Sequence, residues 1–158
     1  MEKPELRKIM KYRYLVMSAG LLFAGNCMAE NYEFTHRQIV ASPINNTAPQ
    51  LFLFNRKGQL IHYSDSYLQN ILSIFRKKEL LPNSEQLKND LFNLLNKNID
   101  FSAHDYTLFY TSIDEAIGPC EPCRQQEERI ALLDAKFPKD KLSIHRITII
   151  NEVYTLKD

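Results

Sequence analysis

Two cysteines three positions apart are the residues of this 158-residue chain whose types and spacing could do chemistry. Cys120 and Cys123 lie in residues 118–124 (GPCEPCR), where a strand-like pattern gives way to a helical one. We therefore predict that they occupy the first turn of a helix, where free N–H groups and the helix dipole favour thiolate over thiol. This spacing lets both sulfurs converge on one point, which is either a metal ion or the other sulfur.

The cysteine pair allows three interpretations that differ in what the sulfurs bind. A zinc site would need at least one more ligand and, for catalysis, an open coordination position. A thiol–disulfide exchange pair would need no further ligand but a thioredoxin-like frame, and Pro122 before the second cysteine is typical of such motifs. The third interpretation is a structural disulfide in an exported domain.

The chain order argues against the thioredoxin-like frame. Such an enzyme would need a strand pair, introduced by a cis-proline beside the disulfide, after the helix and strand that follow the motif. Pro138, at the end of the predicted helix, is the only proline later than Cys123. We therefore expect that the residues after the motif cannot complete this frame.

The elements that must position the cysteines follow from hydrophobic periodicity and turn-forming residues. In chain order they are strands 50–54 and 59–63, helices 68–78 and 84–97, strand 106–112, a helix from 120 to 137, and strand 142–150. This β-β-α-α-β-α-β order predicts an α/β domain whose helices pack on a mixed sheet. The last helix, as a crossover, makes the last two strands parallel, and we expect both in one sheet with the hairpin.

The first 29 residues have the pattern of a secretory signal peptide. Residues 1–13 carry five Lys and Arg against two Glu, and residues 15–25 form an uncharged run of eleven. Cys27 and Ala29 put small residues at the −3 and −1 positions of a cleavage site after Ala29. Because a membrane span takes roughly 20 apolar residues, we expect cleavage and no stable membrane span.

Cleavage would leave residues 30–49 as an N-terminal arm or edge segment and residues 50–158 as the domain. The protein would be exported, to the periplasm or the medium. The mature chain would carry 15 Lys and Arg (20 minus 5) and 17 Asp and Glu (19 minus 2), a net charge of −2. That balance argues against a uniformly basic phosphate-binding face. Only Cys120 and Cys123 would remain to meet an oxidising compartment.

The stretch around the cysteines resembles the cytidine-deaminase-like superfamily, and looks most like the small bacterial deaminases found as secreted toxin domains. The resemblance rests on PCEPCR, which opens a helix after a strand, and on ALLDAKFPKDKLSIHRITI downstream. It implies zinc bound by Cys120, Cys123 and His62, which ends the second hairpin strand where the family has its histidine ligand. The family's catalytic glutamate falls on Ser64, so proton transfer passes to the adjacent Asp65.

This resemblance, which extends over residues 50–150, implies an exported zinc-dependent hydrolytic deaminase of the toxin or effector type. Its substrate would be a nucleobase, free or within a nucleotide or nucleic acid. Because the His-x-Glu pattern is not intact, a second interpretation stays open: an inactive deaminase-like domain that binds a protein partner and uses the cysteine pair structurally. A thiol–disulfide oxidoreductase that uses Cys120 and Cys123 is the third.

Overall fold

The computed structural model describes residues 29–76 and 80–152. The predicted signal peptide, apart from Ala29, and the predicted end of the first helix at residues 77–78 lie outside the described residues. Within the described part, no helix is both long enough and apolar enough to cross a membrane.

The chain forms an α/β fold around a five-stranded mixed sheet. The strands are β1 (Asn31–Thr35), β2 (Leu51–Asn55), β3 (Leu60–Ser64), β4 (Tyr106–Ile113) and β5 (Leu142–Ile150). The α-helices are α1 (His36–Ala41), α2 (Ser84–Leu95) and α3 (Glu121–Lys136), and 3₁₀ helices cover Ile71–Phe75 and Phe101–Ala103. The strand order is β1-β5-β4-β2-β3, in which β1, β5 and β4 are parallel and β2 is antiparallel to both of its neighbours.

Two predictions about topology are confirmed. β4 and β5 are parallel neighbours that are connected through α3. Both lie in one sheet with the β2–β3 hairpin. Right-handed crossover units place a helix on one face of such a parallel pair, so the start of α3 follows the end of β4 closely.

Both faces of the sheet are covered, because alternate residues of β2 are apolar on both sides. Leu51 and Leu53 pack on one face with Leu133 of α3. Phe52 and Phe54 pack on the other face with apolar residues of α2. Strand β2 is therefore a central strand, buried on both faces, and its run of apolar residues shows no alternation.

The predicted helix at 68–78 is corrected to a shorter 3₁₀ helix at Ile71–Phe75. Ser64, directly before the expected helix, ends β3. The backbone N–H of Leu68 donates a hydrogen bond of 2.8 Å to the side chain of Gln126 in α3. This tertiary hydrogen bond ties the connecting segment to α3, and the helical turns begin only after it.

Residues 30–49, which we expected to form an arm or edge segment, contribute β1 and α1. β1 is an edge strand of the sheet and pairs with β5 alone. A capping box starts α1, because Thr35 Oγ1 accepts from the Gln38 N–H (3.3 Å) and Gln38 Oε1 accepts from the Thr35 N–H (2.8 Å). Ile39 then buries its side chain beside Ile149 of β5.

An antiparallel strand pair lies next to β4 in the sheet, and it precedes the cysteines in the chain. β2 lies beside β4, and β3 lies beyond β2. The Ala48–Pro49 peptide bond ahead of β2 is cis, and the next backbone N–H, of Gln50, donates to Thr111 Oγ1 near the end of β4 (2.7 Å). After the motif the described chain has α3 and β5 alone, so, as expected, the residues that follow the cysteines supply no strand pair.

Candidate functional site

A disulfide joins the two cysteines at the start of α3. The S–S distance is 2.03 Å and the Cα atoms lie 5.2 Å apart. Cys120 is the N-cap residue, and its Sγ accepts a hydrogen bond of 3.3 Å from the N–H of Cys123. Glu121 and Pro122 begin the first turn, where a carboxylate complements the helix dipole and a proline forfeits no hydrogen bond. The local sequence therefore starts the helix at the motif, which confirms the predicted helix start.

The two sulfurs differ in their access to solvent. Cys123 is only 3% exposed, whereas Cys120 is partly buried. An incoming thiolate therefore reaches Cys120 more readily, and Cys123 is the natural leaving group. The N–H groups of the first turn also favour a thiolate at Cys120 in the reduced protein.

The disulfide borders a groove of about 710 Å³. The start of α3 forms one side of the groove, and the loop that joins β4 to α3 forms another. Side chains of β1 and β5, including Glu33, Arg146 and Thr148, line the remainder. The groove lies near the carboxyl ends of the parallel strands, which is where α/β sheets commonly bind their ligands.

Three polar side chains in this groove form a network beside the disulfide. Ser112 Oγ donates to Glu127 Oε1 at 2.5 Å, and Arg146 Nη2 lies 2.7 Å from the same oxygen. Arg146 Nη2 also donates to Ser112 Oγ at 3.3 Å. Since Glu127 follows Cys123 by four residues in α3, the two side chains share one face of the helix. The network holds a carboxyl group next to the buried cysteine.

The charged side chains around the groove are mainly acidic. Arg124 is bound by Glu121 (2.5 Å) and by Glu128 on the same helix. Hydrogen bonds from Arg124 and Gln125 hold the pKa of the Glu121 carboxyl below its usual value. The carboxylates that line the groove are those of Glu33, Asp114, Glu115, Glu121 and Glu127, whereas its arginines are Arg124 and Arg146.

His62, the predicted third zinc ligand, lies on β3. It pairs with Leu53 of β2, which pairs in turn with Leu108 of β4. Leu108 precedes Ser112 by four residues, so His62 lies about 13 Å back along the strand direction from Ser112, which lines the disulfide groove. In residues 29–76 and 80–152, no group of three or more His, Cys, Asp or Glu side chains is placed to hold a metal ion. The zinc site stays a prediction.

Asp65, the predicted proton carrier, is exposed directly after β3. Its backbone carbonyl accepts a hydrogen bond from Thr47 Oγ1 at 3.5 Å. Asp65 is absent from the residues that line the disulfide groove. Its role in proton transfer stays a prediction together with the zinc site.

His145 is buried on the face of the sheet opposite α3. Its ring stacks on Phe109 with centroids 4.7 Å apart, Nδ1 accepts from the Glu30 N–H (3.2 Å), and Nε2 lies 2.9 Å from Ser143 Oγ. Burial lowers the pKa of His145 to about 4. His145 is therefore a packed histidine of the sheet, outside the disulfide groove.

Sequence reasoning did not single out the Glu127 network. The signal for Glu127 was its spacing of four residues from Cys123 on a predicted helix face. Ser112 and Arg146 carry no such local signal. They reach Glu127 because β4 and β5 pair in the register that sets Tyr110 opposite Arg146 and Ser112 opposite Thr148.

No family model, curated protein or solved structure matches this chain. Its function has to be inferred from the chemistry of the groove.

Proposed function

We propose that this protein is a thiol–disulfide oxidoreductase with Cys120 as its reactive sulfur and Cys123 as its buried partner. The observation that carries the proposal is the asymmetric disulfide at the start of α3. One sulfur is accessible at a helix N-terminus, the other is buried, and a groove lies beside both. Reactive cysteines occupy such partly exposed positions at helix N-termini, whereas inert structural cysteines are fully buried.

The reaction is a two-step exchange. A substrate thiolate attacks Cys120 Sγ, the bond to Cys123 breaks, and Cys123 leaves as a thiolate from the mixed disulfide. A second substrate thiolate then attacks the substrate sulfur of that bond and releases Cys120. The substrate dithiol loses two electrons and two protons, and the cysteine pair gains them. The reverse sequence reduces a substrate disulfide, and the redox poise of the partner sets the direction.

Glu127 is positioned to exchange a proton with the buried cysteine, Cys123. Burial disfavours the charged thiolate, so Cys123 leaves more readily when a proton reaches its sulfur. The Glu127 carboxyl lies one helical turn further along the same groove, and Ser112 and Arg146 orient it. We assign proton transfer to Glu127: its carboxylate accepts the thiol proton when Cys123 attacks a mixed disulfide, and returns that proton when Cys123 leaves. Ser112 and Arg146 have a positioning role.

The arrangement of strands also supports the proposal. A thioredoxin-type frame needs a parallel strand after the CxxC helix and an antiparallel pair on the other side of the preceding strand. β5 supplies the first, and the earlier hairpin β2–β3 supplies the second. The required neighbours thus surround β4 in a permuted chain order.

Exchange assays on a protein that carries Cys27→Ser test the proposal, because Cys120 and Cys123 are then its only cysteines. We expect the oxidised protein to oxidise a two-cysteine peptide. Cys120→Ser should abolish the reaction. Cys123→Ser should trap a mixed disulfide with an oxidised peptide, detected as a mass increase of one peptide. Absence of exchange, or trapping by the Cys120→Ser protein instead, would contradict the assignment.

The zinc-dependent deaminase is the second candidate. It is favoured by the parallel β4–α3–β5 unit and the adjacent hairpin, which the resemblance also implies. Its test is metal analysis of reduced protein after incubation with zinc. Stoichiometric zinc that is lost in His62→Ala would support it, and Asp65→Ala should then abolish deamination without releasing the metal. If the disulfide resists exchange and the reduced protein binds no zinc, the remaining interpretation is a binding domain with a structural cysteine pair.

A further inference from the structure

The charges that surround the disulfide groove do not cancel. Arg146 is bound by Glu127, and Arg124 is bound by Glu121 and Glu128. Three further carboxylates line the groove, and among the ion pairs of residues 29–76 and 80–152 none includes any of them. They are Glu33, Asp114 and Glu115.

These three carboxylates come from two parts of the groove lining, β1 and the loop after β4. Glu33 is exposed on β1, opposite Thr148 of β5, which is itself opposite Ser112 of β4. Two strand spacings, about 10 Å, therefore separate Glu33 from Ser112 across the sheet. Asp114 and Glu115 begin the loop that leads to Cys120. A segment that brings a sulfur to Cys120 through this groove therefore meets a lining that carries these negative charges.

We propose that the substrate is a protein segment in which the reacting cysteine is flanked by Lys or Arg. This inference rests on the proposed function and names its substrate class. Basic flanks would be attracted into the acidic groove, and they would also stabilise the thiolate of the substrate cysteine. Acidic flanks would be repelled by the same carboxylates. The disulfide supplies the reaction, and Glu33, Asp114 and Glu115 supply the preference.

Two peptides of equal length test the preference. Each carries one cysteine, flanked by lysines in one peptide and by glutamates in the other. Their rates of mixed-disulfide formation with the oxidised Cys27→Ser protein are each divided by their rates with hydroxyethyl disulfide, which removes intrinsic reactivity. We expect the normalised rate to be about tenfold higher for the lysine peptide at low salt, a typical size for electrostatic steering. At 1 M salt the ratio should fall toward one.

Charge reversal locates the effect. Glu33→Lys and Glu115→Lys should each reduce the ratio by about threefold. The matched control is Asp140→Lys, an exposed position in the turn before β5 that makes the same change in net charge. The control should leave the ratio unchanged.

The outcomes separate the two proposals. Exchange with dithiothreitol but a low-salt ratio near one would overturn the substrate class and leave the proposed function intact. An equal effect of Asp140→Lys and Glu33→Lys would also overturn it, because net charge and not the groove would then set the preference. No exchange with dithiothreitol or either peptide would overturn both proposals.

Discussion

At the scale of single residues, the proposed exchange chemistry depends on one difference between two identical side chains. Cys120 and Cys123 are linked, yet the helix N-terminus and the groove favour the first, whereas the second is buried. Glu127 then lies on the same helix face as Cys123. The roles of nucleophile, leaving group and proton carrier therefore follow from position on α3.

The role of Glu127 predicts a specific loss of rate. Glu127→Gln keeps the size of the side chain and an oxygen that can accept from Ser112, but it cannot take up and return a proton. We expect the rate of peptide oxidation to fall by about tenfold or more, since positioned acid–base groups contribute factors of this order or larger. Stopped-flow measurement of mixed-disulfide formation checks this.

The matched control for Glu127→Gln is Glu128→Gln on the exposed side of the same helix. Glu128 pairs with Arg124 and does not line the groove. Its rate should stay within about twofold of the parent. Equal losses in both variants would show that helix charge, and not the carboxyl beside Cys123, governs the rate.

His145 predicts how stability depends on pH. Its folded pKa is about 4 against an ordinary 6.5, primarily through burial, with His104 and Lys97 lowering it further and Glu30 opposing them. Because the unfolded chain binds this proton more readily, its contribution is complete above pH 6.5 and is lost as pH falls toward 4. The difference of 2.5 pH units corresponds to about 3 kcal/mol.

Urea unfolding at pH 7, 5.5 and 4 measures this loss. His145→Gln, which retains hydrogen-bonding capacity for the Glu30 N–H and Ser143, should remove most of the slope. His36→Gln is the control, because His36 is exposed on α1. A parent slope that persists unchanged in His145→Gln would assign the acid sensitivity to other groups.

At the scale of elements, the sequence predicted the helix and strands around the motif, but it did not predict the path of the segment at 68–78. Predicted strands 106–112 and 142–150 correspond to β4 and β5, and the predicted helix at 120–137 corresponds to α3. Their apolar periodicity is strong and uninterrupted. The segment at 68–78 has comparable periodicity, yet the hydrogen bond from Leu68 to Gln126 determines its path. In this segment the tertiary contact overrides the helical propensity of the local sequence.

The β2–β3 hairpin depends on Gly58 at its turn. Gly58 has φ of +70°, and a Cβ there would lie 2.8 Å from Cδ2 of Phe101, which packs on Phe54 at 5.0 Å. We expect Gly58→Ala to destabilise the protein by about 1–3 kcal/mol, from the left-handed backbone and the displaced ring. Chemical denaturation measures the loss.

Lys57→Ala is the control for the hairpin, because it alters an exposed side chain of the same turn. It should change the free energy of unfolding by no more than about 0.5 kcal/mol. A Gly58→Ala protein as stable as the Lys57→Ala protein would mean that the turn adapts and the close approach to Phe101 carries no energetic weight.

At the scale of the whole molecule, the apolar cores that hold the sheet lie apart from the disulfide. Buried residues of β2, β4 and β5 form cores on both faces, and the cysteine pair joins only the first turn of α3 to its own cap. A reactive disulfide needs such a fold, because each catalytic cycle opens the bond. A purely structural disulfide would instead be required for the stability of the fold.

Reduction is therefore predicted to leave the protein folded. A link across so few residues restricts the unfolded chain little, so its loss should cost about 2 kcal/mol at most. Urea unfolding of the Cys27→Ser protein with and without dithiothreitol measures the difference, and far-ultraviolet circular dichroism reports the fold. Unfolding on reduction would identify the bond as a structural disulfide and would argue against the proposed function.

The sequence by itself determined the α/β class, the helix start at the cysteine motif and the parallel β4–β5 pair. All of these depend on short-range patterns of apolar residues, caps and turns. Only the tertiary structure decided that the β2–β3 hairpin lies beside β4 in the sheet, and that Glu127 contacts Ser112 and Arg146. Those contacts join residues far apart in the chain, and their register is set by long-range strand pairing that no local pattern encodes.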